Sequence, residues 1–161
     1  MKLEKKEWIF IGKFVVIFSV LEFIIFNIDM SLLQFFIAQT QANFFNLQFR
    51  NNLIFVKDGA FAIVPSCTGV VSGSILAGIV FSLKKPGLKR KTGIFLAGLT
   101  ALIILNYFRI MLVIWTGKEF GLGVAEWVHI VTWLFTAVFV IGAWFVVTKK
   151  ITGVKDFHGF L

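Results

Sequence analysis

Three side chains could carry nucleophilic chemistry. Cys67, in "IVPSCTGVVSG", is the chain's only thiol, Arg109 lies within "LNYFRIML", and His129 lies within "AEWVHIVTW". With one cysteine there is no internal disulfide and no CxxC metal or redox pair, so the thiol is a packing residue, an intermolecular link or a nucleophile. A guanidinium stabilises a thiolate or an oxyanion, and an imidazole moves protons.

Each residue also has a plainer reading. A cysteine in an apolar helix serves as a small hydrophobe. Pro65 followed by Ser66 nevertheless reads as a helix start with a serine N-cap, placing Cys67 in the first turn, where the positive end of the dipole favours thiolate. Arginine inside an apolar span costs about 2.5–3.5 kcal/mol at the bilayer centre, unless it snorkels to lipid phosphate. Asn106, one turn before Arg109, argues for a protein-facing position and is expected to orient the guanidinium. His129 is a base or a hydrogen-bonded structural residue, and Glu126 one turn earlier is a candidate to fix its tautomer. Backbone N–H groups of Thr68 and Gly69 are candidates for an oxyanion hole. Glu22 reads as a structural partner for a neighbouring helix.

The elements that must position these groups are membrane helices. The 161 residues are 58% hydrophobic and 17% aromatic, with a mean hydropathy of +0.91, well beyond an ordinary globular mix. Four apolar windows suit a hydrocarbon core of about 30 Å, at about 8–28, 67–83, 94–115 and 127–147. The first contains Lys13 and Glu22 and lacks a small-residue cleavage site, so it reads as a retained span. No linker or repeat divides the chain, and residues 1–161 read as a single integral membrane domain. The fold expected is all-α: a bundle of about four transmembrane helices with a small extracytoplasmic β-hairpin.

The formal charge of +8 invites a nucleic-acid reading, but the positives flank the spans. Lys2, Lys5, Lys6, Lys13, Lys84, Lys85, Lys89, Arg90, Lys91, Lys149, Lys150 and Lys155 fall on one side, which the positive-inside rule makes cytoplasmic. Both termini are then inside, and about 29–66 and 116–126 lie outside. Within the first outer segment, "LQFFIAQTQANFFNLQF" suits a helix at the membrane surface or a connector with stacked aromatics. "NLIFVKDGAFAIVP" suits a hairpin turning at Asp58-Gly59. Asp29 and Asp58 lie outside the spans, which argues against an aspartic membrane protease. No metal-ligand cluster or phosphate loop is present, so no cofactor is expected.

Depth brings the three groups together. Counted from Lys84, Lys91 and Lys149 at 1.5 Å per residue, Cys67, Arg109 and His129 stand about 25, 27 and 30 Å high. Three different spans thus carry them to one level near the outer face. Gly69, Gly73 and Ala77 form a small-residue stripe that lets another helix approach the Cys67 helix closely.

Cys-Thr-Gly at the outer start of a span, Asn-x-x-Arg near the outer end of the next, and a histidine at the start of the one after resemble the exosortase/archaeosortase family over about residues 50–147. "CTG" is more similar to the archaeal branch. The resemblance implies a sortase-like transpeptidase of the plasma membrane. Its substrates would be exported surface proteins with a C-terminal motif, a transmembrane helix and a basic tail, and a lipid acceptor is among the partners implied. Cys67 then matches the nucleophile, Arg109 the essential arginine and His129 the third polar position, and the chemistry is acyl transfer through a thioester. Many relatives have about twice as many spans, and some archaeal ones carry arginine at the third position. The competing reading is a non-enzymatic membrane assembly or anchoring subunit whose polar residues hold the bundle together.

Overall fold

A computed structural model describes residues 4–153. Lys2 and Lys155, counted above with the basic face, lie outside the described residues. The order is α1 (Lys5–Asn27), α2 (Ser31–Phe45), β1 (Phe49–Arg50), β2 (Leu53–Val56), β3 (Gly59–Ala62), a 3-10 turn (Pro65–Thr68), α3 (Val70–Ser82), α4 (Leu88–Phe120) and α5 (Leu122–Thr152). The chain is therefore mostly helical. Three helices, α1, α4 and α5, are long and apolar enough to cross a membrane. The expected span at 67–83 is represented by α3, 13 residues long, or about 20 Å at 1.5 Å per residue.

The small residues of α3 bring it against α4. A methyl group at Gly73 would stand 2.7 Å from Leu99 Cδ1, and one at Gly98 would stand 2.6 Å from Leu76 Cδ2. Each glycine thus receives a leucine from the other helix, as the small-residue stripe requires. On its other side α3 meets α1. Ser74 Oγ lies 2.5 Å from Glu22 Oε1, so Glu22 does have its partner on a neighbouring helix. Leu76 and Val80 of α3, Leu83 just after it, Leu102 of α4 and Trp144 of α5 form one buried cluster.

The segment over 29–66 folds more fully than expected. Asp29 starts α2 by accepting the Ser31 N–H at 2.8 Å, and this bond holds its carboxyl below the usual carboxylate range. Asn46, in the left-handed conformation at φ 54°, ends it. Leu32, Phe36 and Phe44 are exposed, whereas Ile37, Ala38, Gln41 and Ala42 are buried. The expected two-stranded hairpin is a three-stranded antiparallel sheet, β1-β2-β3. Its extra strand is reached through Asn51 at φ 55°, a left-handed position that asparagine tolerates. Val56 pairs with Gly59, so the turn residues are Lys57 and Asp58 and Gly59 already opens β3, which puts the turn one residue earlier than the Asp58-Gly59 turn expected.

The segment over 116–126, expected to lie outside the spans, is helical except for one residue. Gly121 alone separates α4 from α5, at φ 88° and ψ 169°, a region essentially limited to glycine. Its flanks stay helical because Gly121 N–H still bonds Gly117 O and Ala125 N–H bonds Gly121 O. A Cβ at Gly121 would stand 2.7 Å from Asp58 Oδ2, so the sheet turn rests directly on this corner.

Candidate active site

Cys67 lies where the sheet segment meets the helices. Its chain path differs from the helix start expected at Ser66. Val64, not Ser66, caps the 3-10 turn, Cys67 N–H bonds Val64 O at 2.8 Å, and Thr68 Oγ1 donates to Pro65 O at 2.7 Å. Gly69 then takes φ 85°, and α3 begins only at Val70. The cysteine sits in a tight turn before the helix, and the left-handed glycine redirects the chain between them. Pro65 explains the shift. It favours the first position of such a turn, which leaves Ser66 inside the turn rather than ahead of it.

Burial around the thiol comes from three parts of the chain. Cys67 is 8% exposed and shares a core with Ile37, Ala38 and Ala42 of α2, Ile54 and Ile63 of the sheet segment, and Ile110 and Ile114 of α4. A cavity of about 80 Å³ opens beside it, lined by Cys67, His129, Phe61, Ile63, Ile110 and Val113 among others. Cys67 and His129 therefore share one cavity wall system, with the half-buried imidazole supplied by α5.

Asn106 does something other than orient Arg109. Its side-chain Nδ2 donates to the main-chain carbonyl of Cys67, and a methyl at Gly69 would lie 3.3 Å from Asn106 Cβ. The amide reaches the turn because glycine leaves it room. This bond was not expected, because i−3 spacing puts Asn106 and Arg109 on one face without saying which of them faces the Cys67 turn.

Arg109 is 5% exposed, which sets aside the snorkelling reading, and its Nε has no hydrogen-bond partner among the described residues. The guanidinium lies within electrostatic reach of both Cys67 and His129. Glu126 is exposed and reaches His129 only through its field, with no hydrogen bond between them among the described residues. Thr68 and Gly69 are both buried at the turn.

Gln41 was not among the residues expected here. It is fully buried; its Nε2 donates to Tyr107 O at 3.2 Å, and its Oε1 has no partner among the described residues. Helical spacing through Ile37, Ala38 and Ala42 placed this amide on the apolar face of α2, the signal that could have found it. Gln41 Oε1 in α2 and Arg109 Nε in α4 are thus two buried polar atoms without a hydrogen-bond partner among the described residues. Such atoms are uncommon in folded proteins and mark functional sites or ordered water.

A thiol and an imidazole on one cavity, with a buried guanidinium in reach of both, can generate a nucleophile, stabilise an oxyanion and transfer a proton. In comparison with known proteins, a family model described as Transmembrane exosortase (Exosortase_EpsH) matches residues 8–146. No curated protein and no solved structure matches.

Proposed function

Because the chain belongs to the transmembrane exosortase family, we propose that it is a membrane-embedded cysteine transpeptidase that processes the C-terminal sorting signal of exported surface proteins. The observation that carries this reading is the shared cavity of Cys67 and His129, with Arg109 buried in reach of both. Cys67 Sγ attacks the scissile carbonyl, and the Arg109 guanidinium stabilises the thiolate and then the tetrahedral oxyanion. N–H groups of Thr68 and Gly69 supply further donors. His129 takes the Cys67 proton and delivers it to the leaving amine as the C–N bond breaks, and Glu126 biases the imidazole from the solvent side. A second nucleophile, a lipid acceptor among the candidates, releases the acyl group from the thioester and regenerates the thiol.

In this reading the protein is a multi-pass plasma-membrane protein with both termini cytoplasmic and the site at the outer face. Confinement of substrate and enzyme to one bilayer supplies much of the orientation that a bimolecular reaction lacks.

The test is Cys67→Ala in cells that express a precursor known to be processed. The variant should insert normally while uncut precursor accumulates, and Cys67→Ser should be nearly as inactive. Unimpaired processing by the alanine variant would favour the assembly-subunit reading.

A further inference from the structure

At the far end of α3 from Cys67, basic side chains converge without acidic partners. Lys6 and Lys13 of α1 and Lys84 after α3 line a cavity of about 300 Å³ with Ile9, Phe10 and Ser82. Beside it, Lys91 of α4 is 8% exposed and donates from Nζ to the main-chain carbonyl of Leu83. An ammonium has three donors, so two remain. Lys91 also lies close enough to Lys13 for the two charges to repel. None of the four lysines pairs with a carboxylate among the described residues.

Like charges gathered from three elements disfavour one another, and more so where one of them is buried. A bound anion reverses the sign of that interaction. Phosphate suits the geometry, because several oxygens can each accept from a different ammonium. The remaining lining narrows the chemistry further. Ile9 and Phe10 give the cavity an apolar wall, which an inorganic ion does not need and a hydrocarbon chain fills. Ser82 adds little, since its hydroxyl already donates to Gly78 O at 2.5 Å.

We propose that this cavity is a phosphate-binding site, formed by Lys6, Lys13 and Lys84 with Lys91 behind them. An anionic phospholipid headgroup or free phosphate supplies the same chemistry, and the experiment separates the two. The site stands apart from Cys67 and holds whether or not the chain is a transpeptidase.

Full-length protein purified in a neutral detergent is titrated with phosphatidylglycerol, with phosphatidylcholine, and with inorganic phosphate at matched ionic strength. Bound lipid is counted by native mass spectrometry, and the thermal midpoint is followed in parallel. Phosphatidylglycerol should bind with defined stoichiometry and raise the midpoint. Lys13→Gln with Lys84→Gln should weaken this binding about tenfold or more, and Lys6→Gln alone should weaken it partially. Lys149→Gln with Lys150→Gln removes the same charge elsewhere and should leave it unchanged. Inorganic phosphate acting alone, with the same variant dependence, supports the site with a soluble ligand. The proposal is overturned if neither anion binds, if the Lys13 and Lys84 variant binds like wild type, or if the control pair loses binding equally.

Discussion

The Asn106 side-chain amide donates to the main-chain carbonyl of Cys67, tying the second half of α4 to the turn that carries the thiol. The donor is 4% exposed and the cysteine 8%, so water cannot readily replace it. Asn106→Leu keeps the volume and removes the donor, leaving a buried carbonyl unpaired. Thermal unfolding should show a loss of about 1–3 kcal/mol. Wild-type stability in this variant would mean that the bond contributes nothing.

Gly69 is the other half of the same device. Its φ of 85° disfavours any other residue, and a methyl there would meet Asn106 Cβ at 3.3 Å. Gly69→Ala should therefore cost about 1–3 kcal/mol of backbone strain and lower processing by shifting Cys67. Combined with Asn106→Leu, the losses should not add, because one contact is shared. Additive losses would show that the two residues act separately.

Gln41 gives an opposite sign. A fully buried amide oxygen without a donor costs stability of about 1–3 kcal/mol, and Gln41→Met keeps a similar shape without that atom. The methionine variant should melt at or above the wild-type temperature by scanning calorimetry. A clear fall in the midpoint would show that the bond to Tyr107 O outweighs the unpaired oxygen.

These residues also show how far the sequence could be read. Composition and the placement of basic residues made the long helices α1, α4 and α5 legible, since about 20 apolar residues have few other fates. The nearness of Cys67 to His129, which line one cavity, was legible from helical rise, because that rise is fixed. Fine geometry was not. The shift of the helix start from Cys67 to Val70 depends on Gly69 adopting a positive φ, which no spacing rule announces. The corner at Gly121 left no loop to read, and the third strand arises from only two residues, Phe49 and Arg50. Asn106 was placed on the correct face, yet its partner across the contact with the Cys67 turn could not be read from α4 alone.

The expected topology rests on charge. In a Cys67→Ser background, a cysteine at Asn52 in the sheet should react with a membrane-impermeant maleimide on intact cells, and one at Gly87 should react only after lysis. The basis is the clustering of basic residues beside α1, the α3–α4 connection and the end of α5. Labelling in the reverse order would put Cys67, Arg109 and His129 on the cytoplasmic side and rule out action on exported proteins at the outer face.

Arg109 should act through its shape as well as its charge. The guanidinium is planar, with five N–H donors, and its Nε is unpartnered in a buried position, so donors remain for an oxyanion. Lysine keeps the charge but concentrates it on one rotatable group that hydrates strongly. Arg109→Lys should insert and fold, yet lose about 2.7–4 kcal/mol of transition-state stabilisation, a rate fall of about a hundredfold to a thousandfold. Because Cys67 is the only thiol, its alkylation by iodoacetamide reads the guanidinium's second effect in the same protein. Alkylation should slow much less than processing, since lysine still favours thiolate by charge while failing to match the oxyanion. Equal slowing of both would assign Arg109 to the thiolate alone. Normal processing by Arg109→Lys would show that the fork geometry is not used, and would leave the arginine as a buried structural charge.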